Sequence, residues 1–254
     1  MIKKNIPNIF TLCNLLCGCI AIVFVFEGNL VGSAYSVGIA CAFDFLDGLV
    51  ARTLNVNSDI GKQLDSLADI VSFGLVPGMV MFQLLKTSIM HYEFKEIFNL
   101  EGNGHMHQDN GLFMLMPYVG FIVTVFSAIR LAKFNLDTQQ TDSFIGLPTP
   151  ANTIFISSLP LILNLDSSGE SIKQFILHPY FLFSLSLISA ISLIAPISLF
   201  ALKFKNFSWG DNKVRYIFLV FALVLLVVFQ LVGIPLIIIL YIVMSVINNC
   251  IIKK

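Results

Sequence analysis

Four aspartates in a short stretch with very apolar flanks are the residues of this chain best placed to do chemistry. Asp44 and Asp47 are three positions apart, and Asp65 and Asp69 four, so each pair shares one face of a helix. Gly48 extends the first face by one step, and a polar link containing Asn55, Asn57, Ser58 and Asp59 joins the two pairs. Clustered carboxylates are costly: two unit charges about 4 Å apart repel by about 4 kcal/mol at an effective dielectric near 20. Asp44 lies about 12 Å deeper along its helix than Arg52, from the rise per residue. An Asp that deep in a bilayer costs roughly 2.5–3.5 kcal/mol on insertion scales. Arg52 and Lys62 are too few and too near the surface to neutralise all four. Hard divalent cations bound by oxygen would do so, and the set suits Mg²⁺ and Mn²⁺ equally. Two such cations about 3.5–4 Å apart can clamp a pyrophosphate and neutralise a leaving phosphate, with one carboxylate free as base. Gly48 removes side-chain bulk where a nucleotide could lie against the helix, and Ala51 is one turn further along that side. The rival reading of intramembrane Asp is a cation or proton pathway. Such a pathway needs polar residues continuing to the far side, and residues 20–26 and 79–85 are almost wholly apolar.

The elements that must position these residues are membrane helices. The 254-residue chain is 57% hydrophobic and 12% charged, with a mean hydropathy of +0.87. Soluble domains carry roughly twice that charge. Continuous apolar runs such as residues 217–232 exclude a barrel of alternating strands. The fold class is therefore all-α, a polytopic integral membrane bundle. Net charge is zero, so nothing global points to a nucleic-acid partner. Cys13, Cys17, Cys19, Cys41 and Cys250 lie in apolar segments at no disulfide-like spacing and read as packing residues. The apolar run after Cys17 and Cys19 continues to Phe26, which excludes a lipoprotein box and makes residues 1–26 a first span, not a removable leader.

Eight spans are expected. They cover residues 11–26, 30–53, 59–86, 112–133, 145–165, 175–204, 214–231 and 235–252, with Ser58 or Asp59 capping the third. Residues 91–110 read as an extramembrane loop in which His105 and His107 are ordinary loop residues. Residues 137–143 form a polar link, and Trp209 sits in a connector where interfacial aromatics gather. With a cytoplasmic N-terminus, twelve Lys and Arg fall on the cytoplasmic side and Lys86, Lys95 and Lys173 on the other. The positive-inside rule then puts both termini and the acidic stretch at the cytoplasmic face of the cytoplasmic membrane.

Arg130 and Lys133, near the cytoplasmic end of the fourth span, are candidates for binding a carboxylate or lipid phosphate, with Arg130 the deeper of the two. Positive-inside anchoring explains them equally well. Asn135 and Asn152 could orient a small polar substrate, and helix-end hydrogen bonding accounts for them too.

The spacing Asp44-x2-Asp47-Gly48-x2-Ala51-Arg52-x8-Gly61-x3-Asp65-x3-Asp69 fixes eight residues over 26 positions, and it resembles the signature of the CDP-alcohol phosphotransferase family at all eight. Residues 58–74, 130–135 and 144–151, together with Ile6-Pro7-Asn8 and Thr11, are similar to its phosphatidylserine synthase branch. The resemblance covers roughly residues 5–200. It implies a six-helix core within residues 1–205, with residues 206–254 adding two C-terminal spans. It implies transfer of a phosphatidyl group from CDP-diacylglycerol to L-serine, releasing CMP, with glycerol phosphate or inositol phosphate as alternative acceptors. By the same resemblance Asp44, Asp47 and Asp65 hold two Mg²⁺ or Mn²⁺ ions, and Asp69 is the base on the serine hydroxyl and could also touch the second metal. Asp44, Asp47, Gly48, Ala51, Arg52, Gly61, Asn8 and Thr11 would form the CDP site. A homodimer among membrane lipids is the family expectation. The residues themselves agree on Asp69, because a serine hydroxyl is a poor nucleophile at neutral pH until a base takes its proton.

Overall fold

A computed structural model describes residues 5–56, 58–98, 114–136, 143–165, 169–200 and 208–252. Helix α1 (Ile6–Phe26) opens with Pro7 in its first turn, where a missing N–H leaves nothing unpaired. Its buried stripe is Pro7, Thr11, Asn14, Gly18, Ala21 and Val25, while Leu12, Leu16, Ile20 and Val23 are exposed as a lipid-facing side would be. A turn with Gly28 at φ 76° ends α1: the Asn29 N–H donates to the Phe24 carbonyl at 2.8 Å and that of Gly28 to Val25 at 3.1 Å. Asn29 then caps α2 (Leu30–Thr53) through its side chain, which accepts from the Gly32 N–H at 2.8 Å. These local signals turn α2 back against α1.

The end of α2 repeats the device with Asn55, at φ 50°, in the left-handed position. The Val56 N–H donates to the Ala51 carbonyl at 3.0 Å and the Asn55 N–H to Arg52 at 3.2 Å. Ser58 caps α3 (Asp59–Asp69), accepting from the Gly61 N–H at 2.9 Å. A π-helical turn, Ile70–Leu75, comes next and leads into α4 (Val76–Phe98). Pro77 lacks the N–H that would bond the Phe73 carbonyl in an α-helix. Thr153 supplies that hydrogen bond at 2.9 Å, and Thr124 serves the Gly74 carbonyl at 3.0 Å. The segment expected to leave the membrane at residue 91 begins as helix, since the apolar span ends at Met90 while α4 runs to Phe98. His105 and His107 lie outside the described residues.

A 3₁₀ turn, Met116–Phe121, leads into α5 (Ile122–Leu136). Then come α6 (Thr149–Leu163), the short α7 (Glu170–Ile176), α8 (Pro179–Ile194), α9 (Trp209–Phe229) and α10 (Gly233–Ile252). The main core gathers Val76, Val80, Met81, Leu84 and Leu85 of α4 with Ala21, Val25, Val37, Val123, Ile156 and Leu182. This makes α4 the central helix.

By length and apolarity five helical stretches among the described residues can cross a membrane, or six if α7 and α8, bent by 57°, count as one. The expected eight differ for two reasons. Helix α6 is only 15 residues long, and residues from Asn212 to Cys250 form one apolar stretch. That stretch breaks at Gln230, with φ 49°, and folds back, so the rings of Phe218 and Tyr241 lie 5.7 Å apart. The expected helix over residues 175–204 stops at Ile194, because Ala195 precedes Pro196 and takes an extended ψ of 139°. The chain continues as β2 (Ser198–Phe200), antiparallel to β1 (Ser143–Ile145), with Ile145 opposite Ser198. This ribbon is an addition to the all-helical expectation, and side-chain alternation over three residues is too brief a signal to reveal it.

Candidate active site

The capped link between α2 and α3 turns the two acidic faces toward each other. One carboxylate oxygen from each of Asp44, Asp47 and Asp65 lies within 4.8 Å of the others. Asp47 is buried and the other two are half-buried. Three oxygen donors that converge at this spacing can hold a hard divalent cation, so the cluster could bind a metal. Thr11 donates to Asp47 Oδ2 at 2.8 Å, which fixes one oxygen of that carboxylate against α1. Asp69, one turn beyond Asp65, accepts from Asn14 Nδ2 at 3.3 Å.

Beside the acidic cluster a cleft of about 830 Å³ opens between α1, α2 and α3, within the range of small-molecule sites. Of the residues expected to form a CDP site, Asn8, Thr11, Asp47, Gly48, Ala51 and Gly61 line it, together with Asp65. Gly61 permits the close approach of α1: a Cβ there would meet Asn8 Oδ1 at 3.0 Å and Ser58 Oγ at 2.8 Å. Gly48 is different. A Cβ on it would meet only Arg52 Nη2, at an ordinary 3.6 Å, so its smallness keeps space open instead of serving helix packing. Asp44 belongs to the acidic cluster but does not line the cleft. Nor does Arg52, whose Nε donates back to the Gly48 carbonyl at 2.8 Å.

The cationic and amide candidates for the acceptor separate. Arg130 and Lys133 line a second cavity of about 360 Å³ with Phe134, Ile145, Leu193, Ile194 and Pro196. Asn135 has another job. Its carbonyl accepts from Lys62 Nζ at 3.1 Å and its Nδ2 donates to Ser66 Oγ at 2.7 Å, tying α5 to α3. Asn152 is buried in α6, where its Oδ1 accepts from Ser189 at 2.5 Å. Arg130 is close enough to Asp69 for the two charges to interact.

The sequence reading missed Asn14, fully buried and bonded to Asp69. The signal was present: Thr11 and Asn14 are polar residues three apart in an apolar span, so they share the face on which Asn8 and Pro7 begin. Ser58 and Asp59, read only as link or cap residues, also line the cleft, as does Lys62, read only as a surface cation.

The family model for CDP-alcohol phosphatidyltransferases matches residues 4–194. The CDP-diacylglycerol–serine O-phosphatidyltransferase of Bacillus subtilis (strain 168) is 31% identical over 175 residues, 65% of this chain and 84% of that protein. The protein of the same name from Helicobacter pylori (strain J99) is 32% identical over 160 residues, 62% of this chain and 58% of its own length. An archaetidylserine synthase of Methanothermobacter thermautotrophicus is 28% identical over 159 residues, again 58% of that protein. The chain belongs to the CDP-alcohol phosphatidyltransferase family.

Proposed function

We propose that this family member transfers the phosphatidyl group of CDP-diacylglycerol to the hydroxyl of L-serine, giving phosphatidylserine and CMP. One observation carries the reading: three converging carboxylates with a fourth one turn on, opening onto a cleft large enough for a nucleotide. The serine synthases among the relatives support serine as acceptor.

In this reading Asp44, Asp47 and Asp65 hold divalent metal, two ions of Mg²⁺ or Mn²⁺. Metal held there would supply positive charge against the pyrophosphate and the departing CMP. Asn8, Thr11, Gly48, Ala51 and Gly61 receive the CDP moiety, and Arg52 stands at its mouth. Asp69 accepts the serine hydroxyl proton as the oxygen attacks the lipid-side phosphorus, and the bond from that phosphorus to CMP breaks. Asn14 holds one oxygen of Asp69, which orients the other for the acceptor. Arg130, with Lys133, takes the serine carboxylate. The acidic stretch and both termini face the cytoplasm, so the nucleotide is met from water while the acyl chains stay in the bilayer.

Purified protein given CDP-diacylglycerol, divalent metal and serine, glycerol phosphate or inositol phosphate in parallel is expected to release CMP with serine. Turnover with another alcohol and none with serine would reject the acceptor and keep the phosphotransferase chemistry.

A further inference from the structure

The family model ends at residue 194, yet the chain builds a second core on the segments beyond it. Leu199, Phe218 and Tyr241 from beyond that point bury themselves against Leu147 from within it. Helix α10 also grips the open edge of β2. The Tyr241 hydroxyl donates to the Phe200 carbonyl at 2.8 Å, and Asn249 Nδ2 donates to the Ser198 carbonyl at 2.5 Å. Strand β2 carries β1, which runs straight into the turn at Gly146, at φ 77°. The Gly146 and Leu147 N–H groups donate to the Ile197 and Ser192 carbonyls, each at 2.9 Å. This chain of contacts fixes Thr149, the buried first residue of α6, whose Oγ1 accepts from Arg130 Nη1 at 3.5 Å.

Arg130 is the object of this construction. It is 8% exposed, its Nε has no hydrogen-bond partner among the described residues, and its hydrogen bond to Thr149 is long. A guanidinium offers five N–H donors, and leaving them unpaired in a buried site is costly. Arg130 lines the 360 Å³ cavity, and opposite α5 its walls are Ile145, Leu193, Ile194 and Pro196, from the ribbon and the end of α8. Tyr241 is close enough to Arg130 for the two to interact electrostatically.

We propose that the C-terminal hairpin of α9 and α10 is part of the acceptor site: Tyr241 and Asn249 hold the β-ribbon and Thr149 in place, so that Arg130 faces the cavity ready for the acceptor's anionic group. Tyr241 is a positioning residue that acts through Arg130. This rests on the acceptor role proposed for Arg130.

The test uses full-length protein in nanodiscs and the separate Michaelis constants for serine and CDP-diacylglycerol. Tyr241→Phe, which keeps the ring and loses the hydroxyl, is expected to raise the serine KM about tenfold, the order of one buried hydrogen bond. The CDP-diacylglycerol KM should stay within twofold of wild type. Asn249→Ala should act in the same direction, and stands in if the first variant folds poorly. Adding Tyr241→Phe to Arg130→Met should change little beyond Arg130→Met alone, since the effect passes through the guanidinium. Equal change in both constants, or effects that simply add in the double variant, would overturn the proposal. Wild-type protein that uses another alcohol and not serine would reject serine itself, and the same ratio is then read with that alcohol. Wild-type protein inactive with every acceptor would overturn both readings.

Discussion

The acidic cleft takes all its lining from the chain between Pro7 and Asp65, while the cavity at Arg130 draws on α5, β1 and the end of α8, and the ribbon that walls it is held by α10. In the first, two helices and one capped link bring the carboxylates together, and α1 closes the side. In the second, each wall depends on a contact between segments far apart in sequence. Local construction favours a fixed geometry for chemistry that needs metal ligands at set distances. Distributed construction leaves a pocket whose shape can be adjusted by elements outside the matched family residues. The reaction should therefore be governed by the first region and the acceptor by the second.

Breaking the first region should have the largest effect. Chelating divalent metal, or replacing Asp44, Asp47 or Asp65 by Asn, is expected to abolish serine-dependent CMP release. Restored metal should recover the wild type alone. If a chelator left turnover intact, the metal role of the three carboxylates would be wrong.

Breaking the second region should be selective. Arg130→Met removes the cation proposed to bind the acceptor, and the loss of a charge-assisted hydrogen bond predicts roughly a ten- to hundredfold rise in the serine KM. The affinity for CDP-diacylglycerol should hold, as read by the nucleotide lipid's own KM. A matched fall in both would show that Arg130 serves the fold, not the acceptor.

Two glycines sharpen the contrast inside the bundle. Gly48→Ala finds room in the fold, so its melting temperature should match wild type while kcat/KM for CDP-diacylglycerol falls about tenfold. Gly120→Ala should do the reverse, because its Cβ would press on the Phe82 backbone nitrogen at 2.5 Å and the Gly78 carbonyl at 3.0 Å. Thermal unfolding in detergent separates the two. The smallest effect should be that of Ser58→Ala, which removes the cap of α3 and costs about 1 kcal/mol of stability, read from the same melts.

The same contrast between local and distributed construction decides what the sequence could disclose. The face-sharing of Asp44 with Asp47 and of Asp65 with Asp69, the cap at Ser58 and the turn at Gly28 are short-range facts, legible from spacing and residue type. Asn14 was legible in principle, as a polar residue on the face of Thr11. The partition of Arg130 from Asn135 was not, because it turns on which neighbours α5 meets: Ser66 and Lys62 on one side, Thr149 and the ribbon on the other. The strand pairing of Ser143–Ile145 with Ser198–Phe200 joins segments more than fifty residues apart with no periodicity to announce it. The helix ends moved for local reasons, Pro196 at α8 and Pro148 with Pro150 at the start of α6.

A division of labour among four aspartates is the central claim, and Asp69→Asn tests it most directly. Metal and CDP binding to the purified variant would be measured by calorimetry, and serine-dependent CMP release from CDP-diacylglycerol alongside. The expected result is metal and nucleotide binding close to wild type with turnover reduced by roughly 10²–10⁴, the contribution of a general base. Turnover retained in Asp69→Asn would remove Asp69 from that role and contradict the division.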